Sequence, residues 1–348
     1  MTRVGKQTWQ FDNIPVYVQA TATVAGQLES EGPLGQYFDV RFDHDRVDGD
    51  TWEHSEQRFF SQAAELAMEK ANVAIDEVSH LIGGDLNAQL MGFYLGLRAF
   101  PLPALGVYSA CASICEGLAL AALMVNTGHA LNVLVGTSSH TSTAERQFRY
   151  PTEYGAQKPA TAQRTVSGSG VALIGSNRSP DLQVGGAIRI TYATVGRVQD
   201  FGITSPWEMG AAMAPAAFDT LAVHLTDASR TYADYDCIAT GDLGFIGHDI
   251  LRDLLEQHGT PAPKSLTDCG MLIYDPAQSE VFSGGSGGAC CTIVTFAYLL
   301  ERLRQGEWKR LLVIATGALV SSVSTQQGDS IPGIAHAIAF EREEEGGA

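Results

Sequence analysis

Residues 107 to 124 have the sequence VYSACASICEGLALAALM, which places a cysteine where a β-like run gives way to a helix rich in alanine and leucine. The first turn of a helix presents unpaired backbone N–H groups and the positive end of the macrodipole, and both favour a thiolate. Small residues flank Cys111, so a substrate or ligand can approach it. The stretch therefore predicts that Cys111 is either a working nucleophile or part of the lining of a binding pocket.

A repeated pattern surrounds this stretch. Residues 79 to 86 and 236 to 243 are apolar runs that end in Gly-Asp-Leu, and each follows a helix-like segment. Residues 128 to 139 and 306 to 318 both start at a glycine and continue into a strand that ends in small residues. The same order in both places favours a duplicated α/β unit.

The offset between the repeats extends to Cys111. Gly128 and Gly306 lie 178 residues apart, and the same offset places Cys111 opposite Ala289, at a second predicted helix start. The strands are continuous apolar runs with helices between them, which indicates mainly parallel sheets that are covered on both faces. We therefore expect Cys111 to lie where the two halves meet.

A polar turn marks the expected boundary between the halves. Residues 175 to 183 combine serine, asparagine and proline, which is typical of a connection. The chain of 348 residues is then divided into 1–178, the half with Cys111, and 179–348. A hydrophobic content of 45% is enough to build a full core in both halves.

The net charge of the chain is −17, which argues against nucleic-acid binding through a basic surface. It also weakens direct adsorption to an anionic membrane. We expect neither a transmembrane segment nor a signal peptide, because the most apolar stretch is interrupted by polar residues and the first residues contain no apolar run. None of the six cysteines forms a CxxC pair, so we expect buried, reduced thiols and no metal site.

The sequence ACAS before an alanine-rich helix is similar to the nucleophile turn of the thiolase and β-ketoacyl synthase superfamily. Residues 165 to 175 resemble the glycine-rich strand that precedes the second half in that superfamily, and residues 330 to 341 resemble its closing strand. The resemblance implies a thiolase-like αβαβα layered α/β fold, built from two pseudo-repeated halves. It also implies a homodimer.

Condensing enzymes of this superfamily add two polar partners to the cysteine, a histidine with an asparagine or a second histidine. One of these places is here held by Gly241, and the other falls in a loop of glycine and serine at residues 282 to 291. The nucleophile position is therefore kept while its partners are missing. His140 and His336 follow or lie within apolar strands, and each is either a core residue or a pocket residue.

Residues 138 to 170 and 201 to 221 resemble a narrower group, the stage V sporulation protein AD family. The resemblance implies a non-catalytic protein that binds dipicolinic acid, a pyridine ring with two carboxylates, for uptake into the developing spore. It implies no cofactor, with calcium entering only as part of a ligand chelate. The implied partners are the stage V sporulation membrane proteins encoded alongside, and the implied location is peripheral to the spore inner membrane.

The expected ligand pocket lies between the halves. Its predicted residues are Cys111, Asp85, His140, Arg149, Tyr154, Arg164, Thr165, Gly241, Asp242, Ser283, Gly284, Ser286 and His336. Arginines suit carboxylates, although those of residues 140 to 165 could instead form ion pairs with Glu145 and Glu153.

Three alternatives stay open at this point. Asp85 and Asp242 each follow an apolar strand, and they could either meet a calcium ion within the ligand chelate or cap the helices that follow. The competing function is a cysteine-dependent acyltransferase or condensing enzyme, of the β-ketoacyl synthase III kind, that recruits unusual partners. A third possibility is a scaffold whose pocket is a relic.

Overall fold

The computed structural model describes residues 2–47, 51–148, 158–178 and 186–343. The strands, in chain order, are β1 (Thr2–Arg3), β2 (Thr8–Gln10), β3 (Tyr17–Ala25), β4 (Val40–Arg41), β5 (His80–Gly84), β6 (Ala104–Gly106), β7 (Asn132–Ser139), β8 (Arg164–Thr165), β9 (Gly168–Gly175), β10 (Ala187–Val195), β11 (Cys237–Thr240), β12 (Leu266–Asp268), β13 (Gly285–Ser286), β14 (Arg310–Ala318) and β15 (Gly333–Glu343). The helices are α1 (Gln27–Ser30), α2 (Trp52–Ala71), α3 (Met91–Gly96), α4 (Ser113–Asn126), α5 (Thr141–Phe148), α6 (Met209–Asp227), α7 (Gly244–Gln257), α8 (Cys269–Leu272), α9 (Gly288–Val294), α10 (Leu300–Arg304) and α11 (Ser322–Gln326). A π-helical segment, Thr295–Leu299, joins α9 to α10.

Within the described residues, two five-stranded sheets have the same strand order. The first runs β6-β5-β7-β9-β3 and the second runs β12-β11-β14-β15-β10. They meet where β3 and β10 pair at Tyr17 and Arg189. Read in chain order, equivalent strands occupy equivalent places, as expected of a duplicated unit.

The sheets are mixed rather than mainly parallel, so that expectation was wrong. In each sheet the central strand pairs in parallel on one side, while the strands toward the junction pair antiparallel. The reason lies in the connections. The last residue of β7, Ser139, pairs with the first residue of β9, Gly168, because α5 and β8 stay at that end of the sheet. Ala318 and Gly333 repeat this arrangement between β14 and β15.

The layers follow from which strand faces are apolar. Neighbouring residues of β7 point to opposite faces, so Val135 packs in the central core and Leu134 packs in an outer core against α2. The central core contains α4 and α9, and it lies between the two sheets. A second outer core packs α6 and α7 against β11 and β14. The order helix, sheet, helix, sheet, helix confirms the predicted αβαβα architecture.

The position of each helix matches its sequence. Helix α4 is apolar on nearly every side, with Leu118 and Val125 fully buried, because it has a sheet on both sides. Helix α2 is amphipathic: Phe59, Phe60 and Ala63 face the sheet, and it begins at an N-cap, Thr51, whose side chain accepts the His54 N–H.

The repeat offset holds for the strands but not for the helices. Strands β7 and β14 start 178 residues apart, as predicted. The N-caps of α4 and α9, Ala112 and Gly287, are only 175 residues apart, because the connections before them differ in length. Cys111 is therefore equivalent to Ser286, and the predicted equivalence with Ala289 was wrong.

The boundary predicted at 178/179 stays a prediction, because residues 179–185 lie outside the described part of the chain. In the part that is described, no helix has both the length and the apolar character that crossing a membrane requires.

Candidate functional site

Cys111 lies in a tight turn between β6 and α4. The residue before it, Ala110, adopts a left-handed φ of 50°, and the turn closes through the hydrogen bond from the Ala112 N–H to the Ser109 carbonyl. A non-glycine residue rarely adopts this conformation, so the turn holds strain that the surrounding structure must maintain. The turn leaves the Cys111 side chain almost fully buried, just before the first turn of α4.

A buried carboxylate faces the thiol. Asp242 accepts hydrogen bonds from the Gly287 N–H (3.0 Å) and the Thr316 hydroxyl (2.7 Å), and Cys111 also hydrogen-bonds to it. Burial and the Asp242 charge raise the pKa of Cys111 well above its usual value. Burial likewise raises the pKa of Asp242 to about 7. The prediction that the start of α4 favours a thiolate was therefore wrong, because the helix end is outweighed by burial and a neighbouring anion.

A narrow cleft opens beside this pair, with about 470 Å³ of empty space including its mouth. We call it the Cys111 pocket. Its lining residues are Leu86, Tyr108, Ala110, Cys111, Ala144, Phe148, Thr165, Pro206, Met209, Ser286, Ala318 and Val320. They come from both halves of the chain, as expected of the pocket. Of the predicted site residues that the structure describes, Cys111, Thr165 and Ser286 line it, and none of its lining residues carries a positive charge.

The two candidate histidines are hydrogen-bonded core residues. His336 accepts the Gly196 N–H at Nδ1 (3.1 Å), and its Nε2 lies 3.1 Å from the Ser109 hydroxyl, which donates to Glu116. Burial lowers the pKa of His336 to about 4, so the ring is neutral. His336 does not line the Cys111 pocket.

His140 also has both ring nitrogens engaged. Its Nε2 bonds to the Asp45 carbonyl at 2.8 Å, its Nδ1 accepts the Ser142 N–H, and its ring stacks on Phe59. Burial lowers the pKa of His140. Like His336, it is absent from the lining of the Cys111 pocket, so its contacts favour the core interpretation.

The two aspartates after the repeated strands have different partners. Asp85 accepts the N–H groups of Asn87 (2.6 Å) and Phe93 (2.7 Å), so it supports the start of α3. Asp242 does not cap α7, because Asp268 accepts the N–H groups at the start of that helix. The described residues include no group of three or more histidine, cysteine, aspartate or glutamate side chains that could hold a metal ion.

Three more predicted residues shape the start of α7 rather than the pocket wall. Ser283 accepts the Ile246 N–H at its hydroxyl (3.2 Å), and Gly284 has a φ of 109° that favours glycine. A Cβ on Gly241 would come within 2.8 Å of the Thr316 backbone nitrogen, so the strands require glycine there. These residues hold Asp242 in place but do not line the Cys111 pocket.

The positive charges line a second cavity, with about 790 Å³ of empty space, which we call the charged groove. Its lining residues are Asp45, Trp52, Thr141, Ser142, Glu145, Arg146, Lys158, Arg164 and Glu280. Lys158 lies 3.2 Å from Glu145, so one of the two predicted glutamates forms an ion pair. Arg149, Tyr154 and Glu153 lie outside the described residues.

Helix α5 and strand β8 separate the two cavities. Ala144 and Phe148 face the Cys111 pocket, whereas Glu145 and Arg146 face the charged groove. The alternation of β8 has the same effect, with Thr165 on the pocket side and Arg164 on the groove side. The predicted site therefore divides between two cavities, which the sequence did not indicate.

The comparisons with known proteins agree with one another. A family model described as Stage V sporulation protein AD (SpoVAD) matches residues 5–341. Stage V sporulation protein AD of Bacillus subtilis (strain 168) is 45% identical over 342 residues, which cover 98% of this chain and 98% of the relative. This chain belongs to the stage V sporulation protein AD family. The resemblance carried by residues 138 to 170 and 201 to 221 is confirmed.

Solved structures show that this member of the stage V sporulation protein AD family has the predicted thiolase-like fold. Cerulenin-bound OleA of Xanthomonas campestris matches with a TM-score of 0.61 and 14% identity, over 96% of this chain and all of that chain. The 3-oxoacyl-(acyl-carrier-protein) synthase III of Aquifex aeolicus VF5 matches with a TM-score of 0.56 and 14% identity, over 94% of this chain and 99% of that chain. At this identity the likeness establishes the fold alone.

Sequence reasoning missed most of the apolar lining of the Cys111 pocket in this family member. Leu86 ends the first Gly-Asp-Leu motif, and Met209 lies within the family-like stretch 201–221, so both were close to a recognised signal. Tyr108 precedes Cys111 by three residues and is 44% exposed. Apolar residues are too common in the chain for sequence alone to separate these from core residues.

Proposed function

We propose that this chain binds dipicolinic acid, free or as its calcium chelate, for uptake into the developing spore, and that Cys111 does not act as a nucleophile. Membership of the stage V sporulation protein AD family supports sporulation as the setting. Two cavities beside α5 offer space for a small planar ligand. Such a ligand needs flat apolar walls together with donors for its carboxylates.

The contact between Cys111 and Asp242 is the observation that carries the non-catalytic part. A condensing enzyme needs a thiolate and donors that stabilise an oxyanion. Here a buried carboxylate faces the thiol and keeps it protonated. The described residues that line the Cys111 pocket include neither histidine nor asparagine.

The alternative function is a cysteine-dependent condensing enzyme. Two features favour it: the strained turn at Ala110 is typical of an exposed nucleophile, and the apolar Cys111 pocket suits an acyl chain. Against it stands the raised pKa of Cys111. The two functions make opposite demands on Cys111, so a direct experiment separates them.

The test is a calorimetric titration of the purified protein with dipicolinate, with and without calcium, beside an assay of CoA release from acyl-CoA. We expect saturable binding and no CoA release. Release by the native chain that Cys111→Ala abolishes would establish the enzyme instead. Absence of dipicolinate binding would exclude the proposed ligand, and retained association with the membrane proteins would then favour a scaffold.

We also propose that the chain forms a homodimer. The edge strand β6 exposes Leu105 (47%), and the neighbouring α3 exposes Met91, Tyr94 and Leu95. An edge strand with unpaired backbone groups and an apolar surround can pair with a second copy.

Association with the spore inner membrane is proposed to run through the stage V sporulation membrane proteins encoded alongside. The net charge of −17 supports protein-mediated association, because an anionic lipid surface repels the chain. Copurification of the chain with those proteins from detergent extracts is the expected result.

A further inference from the structure

Arg164 is a largely buried cation without a full set of partners. Its side chain is 16% exposed, and its Nε atom has no hydrogen-bond partner. The carboxylate nearest to it is that of Glu280, at 3.6 Å, and the Glu280 side chain is 58% exposed. A buried charge without good hydrogen bonds is costly, so the site is built for an acceptor that is not part of the described chain.

The surroundings of Arg164 suit a planar anion. Lys158 is 12% exposed and lies 3.2 Å from Glu145 and 3.7 Å from Glu280, so a second ammonium donor faces the same groove. The Trp52 ring lines the groove and offers a flat apolar surface. A guanidinium and a carboxylate form two parallel hydrogen bonds, which fixes both the position and the orientation of the ligand.

The Cys111 pocket suits such a ligand less well. Its described lining carries no positive charge, its empty space is smaller, and the Asp242 carboxylate adjoins it. A dianion entering it would lose its hydration without gaining a cation. The two cavities are separated by α5 and β8, so a small ligand occupies one or the other.

We propose that the charged groove is the site where the chain binds the carboxylates of a planar aromatic dicarboxylate, with Arg164 as the main contact. This proposal rests on the proposed function, because it assigns the site of that same ligand. Glu280 then acts as an exposed competitor that the ligand displaces from Arg164 and Lys158.

The experiment measures dipicolinate affinity by calorimetry for the native full-length chain and four variants. We expect Arg164→Gln to weaken binding about tenfold or more, from the loss of charge-assisted hydrogen bonds. We expect Glu280→Gln to strengthen binding of free dipicolinate a few-fold, because it removes both a competitor and a like charge. Cys111→Ala should bind as the native chain does.

Arg197→Gln is the matched control. It makes the same change in net charge, but Arg197 pairs with Asp219 away from the groove. Its affinity should equal that of the native chain. Thermal unfolding of Arg164→Gln shows whether the variant is folded, and the Glu280→Gln prediction is a gain of affinity that a folding defect cannot produce.

The outcomes separate the two proposals. If Cys111→Ala loses binding while Arg164→Gln and Glu280→Gln bind as the native chain does, the groove is not the site but the proposed function stands. If the native chain does not bind dipicolinate at all, both proposals fall. Loss in Arg164→Gln together with gain in Glu280→Gln supports the groove.

Discussion

At the scale of single residues, the Cys111–Asp242 contact decides the chemistry of the site. A thiol at the start of a helix is usually activated, yet burial and the Asp242 charge raise the pKa of Cys111. Asp242 is held in place by Gly287 and Thr316, so it cannot turn away from the thiol. The position of the nucleophile is kept while its reactivity is suppressed.

The first residue-scale prediction concerns this suppression. Replacing Asp242 with Asn removes the negative charge beside Cys111, so the pKa of the thiol should fall. Each pKa unit corresponds to about a tenfold change in thiolate fraction. We expect alkylation of Cys111 by iodoacetamide near pH 8 to become about tenfold faster, with the midpoint of its pH profile shifted to lower pH. Peptide-level mass spectrometry identifies the modified cysteine.

Thr316→Val is the control for this experiment. It removes a hydrogen bond to Asp242 but leaves the carboxylate in place. If Thr316→Val speeds alkylation as much as Asp242→Asn does, the cause is loosening of the site and not the charge. An unchanged pH midpoint in Asp242→Asn would contradict the prediction.

At the scale of elements, α5 and β8 divide the candidate site, and β6 ends the first sheet. The polar and apolar faces of α5 line different cavities, so a single short helix separates charge recognition from the thiol. Strand β6 pairs with β5 on one side only. Its other edge is therefore the place for the proposed dimer contact.

The element-scale prediction tests this edge. Leu105→Lys places a charge on β6, where it would be buried on dimer formation but solvated in a monomer. We expect the native chain to sediment as a dimer and the variant to shift toward the monomer. Leu131→Lys is the matched control, because Leu131 is 67% exposed and precedes β7, away from that edge. A monomeric native chain, or a variant that dimerises unchanged, would contradict the proposed interface.

At the scale of the whole molecule, acidity is both a surface and an interior property. The net charge is −17, and several carboxylates are fully buried. Burial raises the pKa of Glu56 to about 8 and the pKa values of Glu29 and Asp242 to about 7. The folded chain therefore binds these protons more tightly than the unfolded chain does.

The whole-molecule prediction follows from the sign of this difference. These groups stabilise the fold below their ordinary pKa values near 4, and the contribution is lost as the pH rises through the folded values of about 7 to 8. Repulsion within the anionic chain acts in the same direction. We expect the free energy of unfolding in urea to be larger at pH 5.5 than at pH 8.5.

Glu56→Gln isolates one contribution. Glu56 accepts hydrogen bonds from Asn87, Ser138 and Thr143, and a neutral amide of the same shape keeps most of that pattern. The variant should flatten the pH dependence by roughly 2 kcal/mol, since each pKa unit is worth about 1.4 kcal/mol. Glu65→Gln on the exposed side of α2 should leave the dependence unchanged. An equal slope in native and Glu56→Gln chains would count against a buried, protonated Glu56.

The sequence indicated the fold because two kinds of signal are local. Apolar runs and their order revealed the duplication, and the motif around Cys111 indicated the superfamily. Strand direction was not local: β9 runs antiparallel to β7 because α5 and β8 stay at one end of the sheet. The three-residue difference in helix starts depended in the same way on loop lengths that no periodicity reports.

By itself, the sequence determined the layered α/β class, the family, the acidic surface and the place of Cys111 before a helix. Only the tertiary structure decided that Asp242 faces the thiol, that His140 and His336 are fully engaged in the core, and that Arg164 lies in a different cavity from Cys111. The physical reason is that class and family follow from short-range patterns. Protonation and ligand contact depend on groups that are distant in sequence, and folding alone brings them within hydrogen-bond distance.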